Sequence, residues 1–414
     1  LVEKPFAGNL EEADRMIANG NAYRCFCTAE RLEQVRADLA QKRLPPRYDR
    51  HCRDLPPDEV ARRCAAGEPS VVRFKMPLTG ETTFTDLIRG DVTFSNDTLN
   101  DYVLLKSDGY PTYHLANVVD DHYMGITHVL RADEWISSTP LHVLLYEALG
   151  WETAAFAHLP MILGPDKSKL SKRHGATTIG EYRQAGYLPE AMMNFLALLG
   201  WSLDDKTDLL TREELVANFA LERVNKTAAV FNKPKLEWMN GVYIRELNPE
   251  EFAERALPYL ERDLPTSVPR PLDSGYVTRV GQLVQERVKL LGELGELCDF
   301  FFIDRIDYPV ESLLVKGLDV DHASTVLSRV LDELSALQEW SAITLEAILR
   351  PLSEQMGVST RQLFGMLRVA VTGKTATPPL FETMDVLGPH RCLPRIQAAL
   401  SALGGTSAGD APAE

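Results

Sequence analysis

Thr127-His128-Val129-Leu130 is a short β-branched and apolar run. Behind it, Pro140 to Leu149 makes a helix-length segment entered at Thr139 and closed by Gly150, and His158 to Leu163 is a second apolar run. Strand, helix and strand in that order, preceded by a helical pattern over 113–121, predict a parallel, doubly wound sheet. Ligands of such sheets lie beyond the carboxyl ends of the strands. Arg131 stands at that end of the first strand, followed by the polar loop Ala132-Asp133-Glu134-Trp135. A guanidinium there grips a carboxylate through two parallel hydrogen bonds. Its other reading is a surface ion pair with Asp133 or Glu134.

Toward the N-terminus the pattern changes. Val71-Val72-Arg73-Phe74-Lys75, Thr82-Thr83-Phe84-Thr85, Asp91-Val92-Thr93-Phe94 and Tyr102-Val103-Leu104-Leu105 read as strands cut by Gly/Pro/Asp turns, an inserted α+β module. Asn9 to Gly20 has helical periodicity on Leu10, Ala13, Met16 and Ile17. Toward the C-terminus, residues 186–201 carry an apolar stripe, and 250–404 continue as amphipathic helices, including 277–297 and 324–337, with little alternating strand signal. The Gly/Ser/Ala/Pro-rich residues 405–414 read as a disordered tail.

A chain of 414 residues exceeds one compact core and suggests two to four domains. It is 45% hydrophobic and 25% charged, and no apolar run approaches the roughly 20 residues of a membrane span. No leader pattern opens it, and six cysteines in a chain this long do not form a disulfide framework, so a reducing cytoplasm is expected. A net charge of −15 argues against a polyanionic partner, but residues 24–53 carry eight Lys/Arg against four acids, a local balance of +4. A structured polyanion needs only one basic face. In the same stretch Cys25, Cys27 and Cys52 suit zinc, with Asp54, Tyr48 or His51 as candidate fourth ligand.

Between Gly164 and Gly175 lies Pro165-Asp166-Lys167-Ser168-Lys169-Leu170-Ser171-Lys172-Arg173-His174, dense in cations and hydroxyls. Lys169 and Lys172 suit phosphoryl oxygens as charge builds on a leaving pyrophosphate. Lys169-Leu170-Ser171-Lys172-Arg173 resembles the KMSKS loop of class I aminoacyl-tRNA synthetases. Ala22-Tyr23-Arg24-Cys25-Phe26-Cys27, Gly109-Tyr110-Pro111-Thr112-Tyr113-His114-Leu115-Ala116-Asn117-Val118-Val119-Asp120-Asp121 and Trp238-Met239-Asn240-Gly241-Val242-Tyr243-Ile244-Arg245 extend the resemblance to the bacterial glutamate–tRNA ligase family.

That resemblance implies ATP-dependent attachment of glutamate to tRNA(Glu) through a glutamyl-adenylate. Arg131, Tyr113 and Asn117 would hold glutamate. Glu134 and the Leu170 backbone, with Trp135 stacking, would hold ATP, and Lys169, Ser171 and Lys172 would act on its phosphates, Mg2+ accompanying the nucleotide. Arg131 reads the substrate's charge, because glutamine would leave a buried guanidinium unpaired. The family layout implies a Rossmann-type catalytic domain in 1–24 and 113–163, an acceptor-stem-binding insert in 25–112, a loop and stem-contact domain in 164–247, and a helical anticodon-binding region in 248–404 with Arg287 facing the anticodon. Some members carry Cys-x-Cys and Cys-x-His for zinc; here Asp54 takes the His place. A monomer is the family expectation. No His-x-Gly-His motif occurs among the nine histidines, so the chain reads as an incomplete Rossmann domain expected to activate glutamate poorly alone. A non-catalytic tRNA-binding protein is the alternative; the short glutamyl-queuosine enzymes lack the helical C-terminal region.

Overall fold

Gly and Pro punctuation divides the chain into many short elements. The computed structural model describes residues 9–171, 173, 175 and 178–406. In order they form α1 (Asn9–Ala18), β1 (Ala22–Cys25), α2 (Ala29–Gln41), α3 (Pro57–Ala65), β2 (Val71–Phe74), β3 (Glu81–Asp86), β4 (Gly90–Ser95), β5 (Val103–Leu105), α4 (Tyr113–Tyr123), β6 (His128–Ala132), α5 (Thr139–Leu149), β7 (Ala155–Leu159) and β8 (Ile162–Leu163). Then come α6 (Ile179–Ala185), α7 (Pro189–Ala197), α8 (Arg212–Asn218), β9 (Ala229–Val230), α9 (Lys233–Glu246), α10 (Pro249–Asp263), α11 (Ser274–Val284), α12 (Leu294–Cys298), α13 (Val320–Ser335), α14 (Ala342–Gln355), α15 (Thr360–Thr372), α16 (Leu380–Leu387) and α17 (Pro389–Thr406). Two compact units result: residues 1–170 with 197–231, and residues 171–196 with 232–414.

The first unit contains the predicted parallel pair. β6 and β7 run parallel in register from His128↔Ala155 to Ala132↔Leu159. The sheet is mixed, however, in the order β4-β3-β7-β6. β3 meets β7 in parallel at Asp86↔Phe156, and β3 and β4 form an antiparallel hairpin. Residues 81–95, read from sequence within the 25–112 insert, thus extend the sheet that carries Arg131. β1 lies in a separate antiparallel sheet, β1-β2-β5. The run read as one strand over 158–163 breaks at Pro160, which donates no ladder hydrogen bond; β8 beyond it pairs with β9.

α4 and α5 cover the sheet with Leu115, Val118, Leu141, Leu145 and Leu149, which pack with Met16, Phe74, Leu104 and Phe156 in one core. Each such side chain, wholly removed from water, contributes about 1.5–3 kcal/mol before entropy is set against it. Gly150 ends α5 at φ 70°, a conformation that costs a Cβ-bearing residue dearly.

The second unit is helical among its described residues. Its core runs from Phe252 of α10 through Phe300 and Phe301 to Val326, Leu349, Leu363, Met384 and Ile396 on α13–α17. α17 continues to Thr406, past the point at which the tail was expected to begin, and residues 407–414 lie outside the described residues.

Candidate active site and cysteine cluster

Arg131 is held at the end of β6 by the elements around it. Its Nε donates to His158 Nε2 at 3.0 Å, its Nη2 donates to Thr139 Oγ1 at 2.8 Å, and Nη1 lies 3.1 Å from His142 Nδ1. An arginine side chain has five N–H donors and no acceptor, so one N–H on each η nitrogen remains for the Tyr113 hydroxyl, its further partner, and for a ligand. No carboxylate among the described residues lies within ion-pair distance: Asp133 pairs with Arg89 at 2.9 Å and Glu134 with Lys169 at 2.6 Å. The surface ion-pair reading of Arg131 is thereby overturned. Burial pulls the guanidinium below its ordinary pKa, so the site favours an arriving anion.

Tyr113 and Asn117 are four residues apart on α4 and so share a helix face. The Tyr113 ring stands 4.9 Å from that of Trp135, in the turn between β6 and α5, and Trp135 lies 5.8 Å from the Arg131 guanidinium. Trp135 is half-buried, not a core side chain. Thr139, expected to cap α5, is instead its first residue; Ser138 is the N-cap, and the Thr139 hydroxyl donates to Trp135 O. Sequence reasoning missed Asp86, His142 and His158, all buried under Arg131. His158 Nδ1 lies 2.6 Å from Asp86 Oδ2, and His142 Nε2 lies 3.0 Å from His114 Nδ1. Burial, then Arg131, hold His142 neutral with a pKa pushed down to about 2.

The Lys/Ser-rich segment from Gly164 starts as a tight turn. Gly164 N donates to Ser168 O, Leu170 N donates to Ile162 O, and Lys167 takes φ 61°. Lys169 is thus brought to Glu134, both largely exposed. An exposed pair is worth only about 0–1 kcal/mol, so little holds Lys169 on Glu134. Ser171 begins the segment assigned to the second unit, and Lys172 lies outside the described residues.

Cys25, Cys27 and Cys52 converge, their sulfurs all within 4.8 Å of one another. The Tyr48 hydroxyl sits 3.3 Å from Cys25 Sγ and 3.5 Å from Cys27 Sγ, and accepts from Cys52 N at 3.0 Å. Asp54 is a correction to the sequence reading: its side chain is 81% exposed and turned to Lys75 Nζ at 3.3 Å. His51 is exposed. Tyr48 therefore supplies the oxygen at this cluster. Arg31 Nη1 approaches Cys27 Sγ at 3.5 Å, and Arg73 lies 3.9 Å over the Tyr48 ring. Burial opposes a Cys25 thiolate, but hydrogen bonds from Tyr48, the Cys27 backbone and Arg73 outweigh it and lower the thiol. Burial pushes the Cys27 thiol up to about 12 and raises the Tyr48 phenol, so in the metal-free cluster one sulfur is readily ionised. Three clustered sulfurs and an adjacent phenol oxygen still match the donor set of a four-coordinate zinc centre, which would itself favour the ionised forms.

Comparison with known proteins decides among the chemistries such a site permits. Residues 7–238 match the model of the class I (E and Q) tRNA synthetase catalytic domain, and residues 251–400 match an anticodon binding domain. A glutamate–tRNA ligase of Dehalococcoides mccartyi is 53% identical over 95% of this chain and 80% of its own length. That of Moorella thermoacetica is 44% identical over 94% and 79%. The chain belongs to the glutamate–tRNA ligase family. A crystal structure of a glutamate tRNA ligase from Elizabethkingia meningosepticum in complex with its amino acid superposes with a TM-score of 0.82 at 31% identity, covering 96% of this chain and 85% of that one. The class I ligase catalytic match spans the whole Arg131 neighbourhood and the cysteine cluster.

In the region matching the ligases' anticodon domain, Arg287 is exposed and donates from Nη1 to Thr377 O at 2.9 Å. Arg368 Nε donates to Thr377 Oγ1 at 3.0 Å, and its guanidinium is pulled down by burial and by Arg287. Two like charges gathered on one threonine favour an anion beside them. Arg368 carried no spacing signal in the sequence.

Proposed function

We infer that this chain handles glutamate, ATP and tRNA(Glu) in the attachment of glutamate to tRNA through a glutamyl-adenylate. The carrying observation is Arg131: a half-buried cation at a strand's carboxyl end, its surroundings neutral imidazoles and a hydroxyl, with an N–H left for a carboxylate. Arg131 pairs with the glutamate side chain, and Tyr113 and Asn117 meet the rest of the amino acid from one face of α4. The α-carboxylate oxygen attacks the α-phosphorus of ATP, the bond to the bridging oxygen breaks, and pyrophosphate leaves. A terminal ribose hydroxyl of tRNA then attacks the acyl carbon and releases AMP. No protein nucleophile is required; the protein orients the reactants and neutralises charge. Mg2+ would accompany ATP and supply further charge neutralisation at its phosphates.

Lys169 leaves Glu134 for the phosphates, while Glu134 and the Leu170 backbone receive the nucleoside. Ser171 and Lys172 complete the phosphate contacts. A zinc ion on Cys25, Cys27, Cys52 and Tyr48 would fix the 48–53 loop to β1, in the insert read as stem-binding. Arg287, with Arg368 beside it, faces the anticodon. The protein works as a cytoplasmic monomer; no described helix is long and apolar enough to cross a membrane.

Glutamate affinity of the chain, measured calorimetrically beside Arg131→Gln, tests the pocket. Glutamate binding should fall about 100-fold or more in the variant, because a charged partner is lost from a half-buried site. Undiminished binding overturns the assignment. Charging of tRNA(Glu) beside Lys172→Ala tests the phosphate role in the same way.

A further inference from the structure

The hydrogen bonds beneath Arg131 have only one consistent direction. Arginine nitrogens donate, so His158 Nε2 and His142 Nδ1, which face them, must both be lone pairs. His158 consequently carries its proton on Nδ1, aimed at Asp86 Oδ2, 2.6 Å away. Asp86 is 1% exposed and receives donors on both oxygens: Ile88 N at 3.0 Å and Arg89 N at 2.9 Å on Oδ1, His158 N at 3.0 Å and Nδ1 on Oδ2. Backbone donors of the β3–β4 turn and of β7 thus fix the carboxylate, the carboxylate fixes the imidazole tautomer, and the imidazole fixes the guanidinium.

We propose that Asp86, acting through His158, is a positioning residue that holds the Arg131 guanidinium in the orientation needed to take a carboxylate, and so helps determine selection of glutamate over glutamine. This deepens the reading of Arg131 given above and rests on it. A structural anchor alone would need no particular tautomer. Here the tautomer decides: with its proton on Nε2, His158 would point a donor at the Arg131 Nε–H, and the guanidinium would have to turn away. Thr139 Oγ1 lies 3.1 Å from Trp135 O and 3.2 Å from His158 Nε2, so its one hydroxyl proton is shared between two acceptors, whereas Asp86 has no proton to give and accepts from Nδ1 alone on that ring.

The test uses the whole chain with 15N-labelled histidine and arginine. His158 should show the Nδ1–H tautomer, and the Arg131 Nε–H should exchange slowly with solvent. In Asp86→Asn, an amide NH2 must face donors whichever way it turns. Turned toward His158, it takes the Nδ1 lone pair and drives the proton to Nε2. Slow exchange at Arg131 should then be lost, and the glutamate-to-glutamine affinity ratio should fall about tenfold or more, the weight of one hydrogen bond to a charged group. His158→Gln, which offers Arg131 a carbonyl oxygen whatever occupies position 86, should restore slow exchange when combined with Asp86→Asn.

A parent chain with His158 in the Nε2–H tautomer overturns the proposal, even if the Asn variant fails to fold. So does a folded Asp86→Asn chain that keeps both the slow exchange and the affinity ratio. If Arg131→Gln leaves the ratio unchanged, the pocket reading and the selectivity claim both fall. The tautomer and exchange signals still report separately whether Asp86 orients Arg131.

Discussion

Replacing Asp101 by Asn should destabilise the first unit by about 4 kcal/mol. Asp101 is wholly buried and accepts from the Tyr23 hydroxyl at 2.7 Å, from Arg53 Nη1 at 2.8 and 3.0 Å, and from Arg50 Nε at 3.3 Å. The Arg53 side chain is only 9% exposed, so water cannot replace the lost charge. Removing one member of a buried pair costs about 3–5 kcal/mol, whereas replacing the pair by apolar groups is often neutral. The asparagine retains one carbonyl oxygen, but its NH2 group faces donors. In a unit of roughly 200 residues, 4 kcal/mol lowers the thermal midpoint by about 8–16 °C. Hydrogen exchange of peptides covering β2 and β5 isolates this unit from the helical one. A loss below about 1 kcal/mol would refute the reasoning, as would a double variant Asp101→Leu/Arg53→Met no more stable than Asp101→Asn.

His142, neutral when folded with a pKa of about 2 against 6.5 for the free side chain, binds a proton only when the chain unfolds. Its contribution is complete above about pH 6.5 and falls by roughly 1.4 kcal/mol per unit below it, so about 2 kcal/mol is lost at pH 5. His142→Asn should show a smaller drop in thermal midpoint between pH 7 and 5; an equal drop refutes the assignment. Metal analysis should find about one zinc per chain in the parent and in Asp54→Ala, none in Cys27→Ser, and affinity reduced about 10–100-fold in Tyr48→Phe; an equal loss in Asp54→Ala restores Asp54 as ligand. Gly186→Ala should cost the helical unit at least about 2 kcal/mol in urea unfolding, because Gly186 has φ +95° and an added Cβ would collide with the Leu291 and Gly292 backbone; unchanged stability refutes that crowding.

Elements with local punctuation were legible in the sequence. Turn residues cut β2–β5 where expected, Gly150 ended α5, and Arg131 could be placed at the end of β6. What sequence concealed was pairing at a distance. Asp86 and His158 are 72 residues apart. A lone buried acid or histidine has no spacing signature, and the parallel meeting of β3 with β7 that unites them rests on one register pair. The cysteine spacing was readable, but its fourth partner depended on which way a short loop turned: Lys75 draws Asp54 outward while Tyr48 folds in. The Pro160 break was written in the sequence, yet only the partnership with β9 shows what it accomplishes.

That break gives Lys169 a mechanical setting. β8 is laddered to β9 at Ile162↔Ala229 and Leu163↔Val230, and the turn beyond folds back onto β8 through a Leu163↔Lys169 bridge. Lys169 therefore rides on a stiff finger rooted in a two-stranded splint, instead of on slack chain. On the role proposed for Lys169, a softened splint at Ala229 and Val230, far along the polypeptide, would loosen its placement at the nucleotide without touching any residue that meets it.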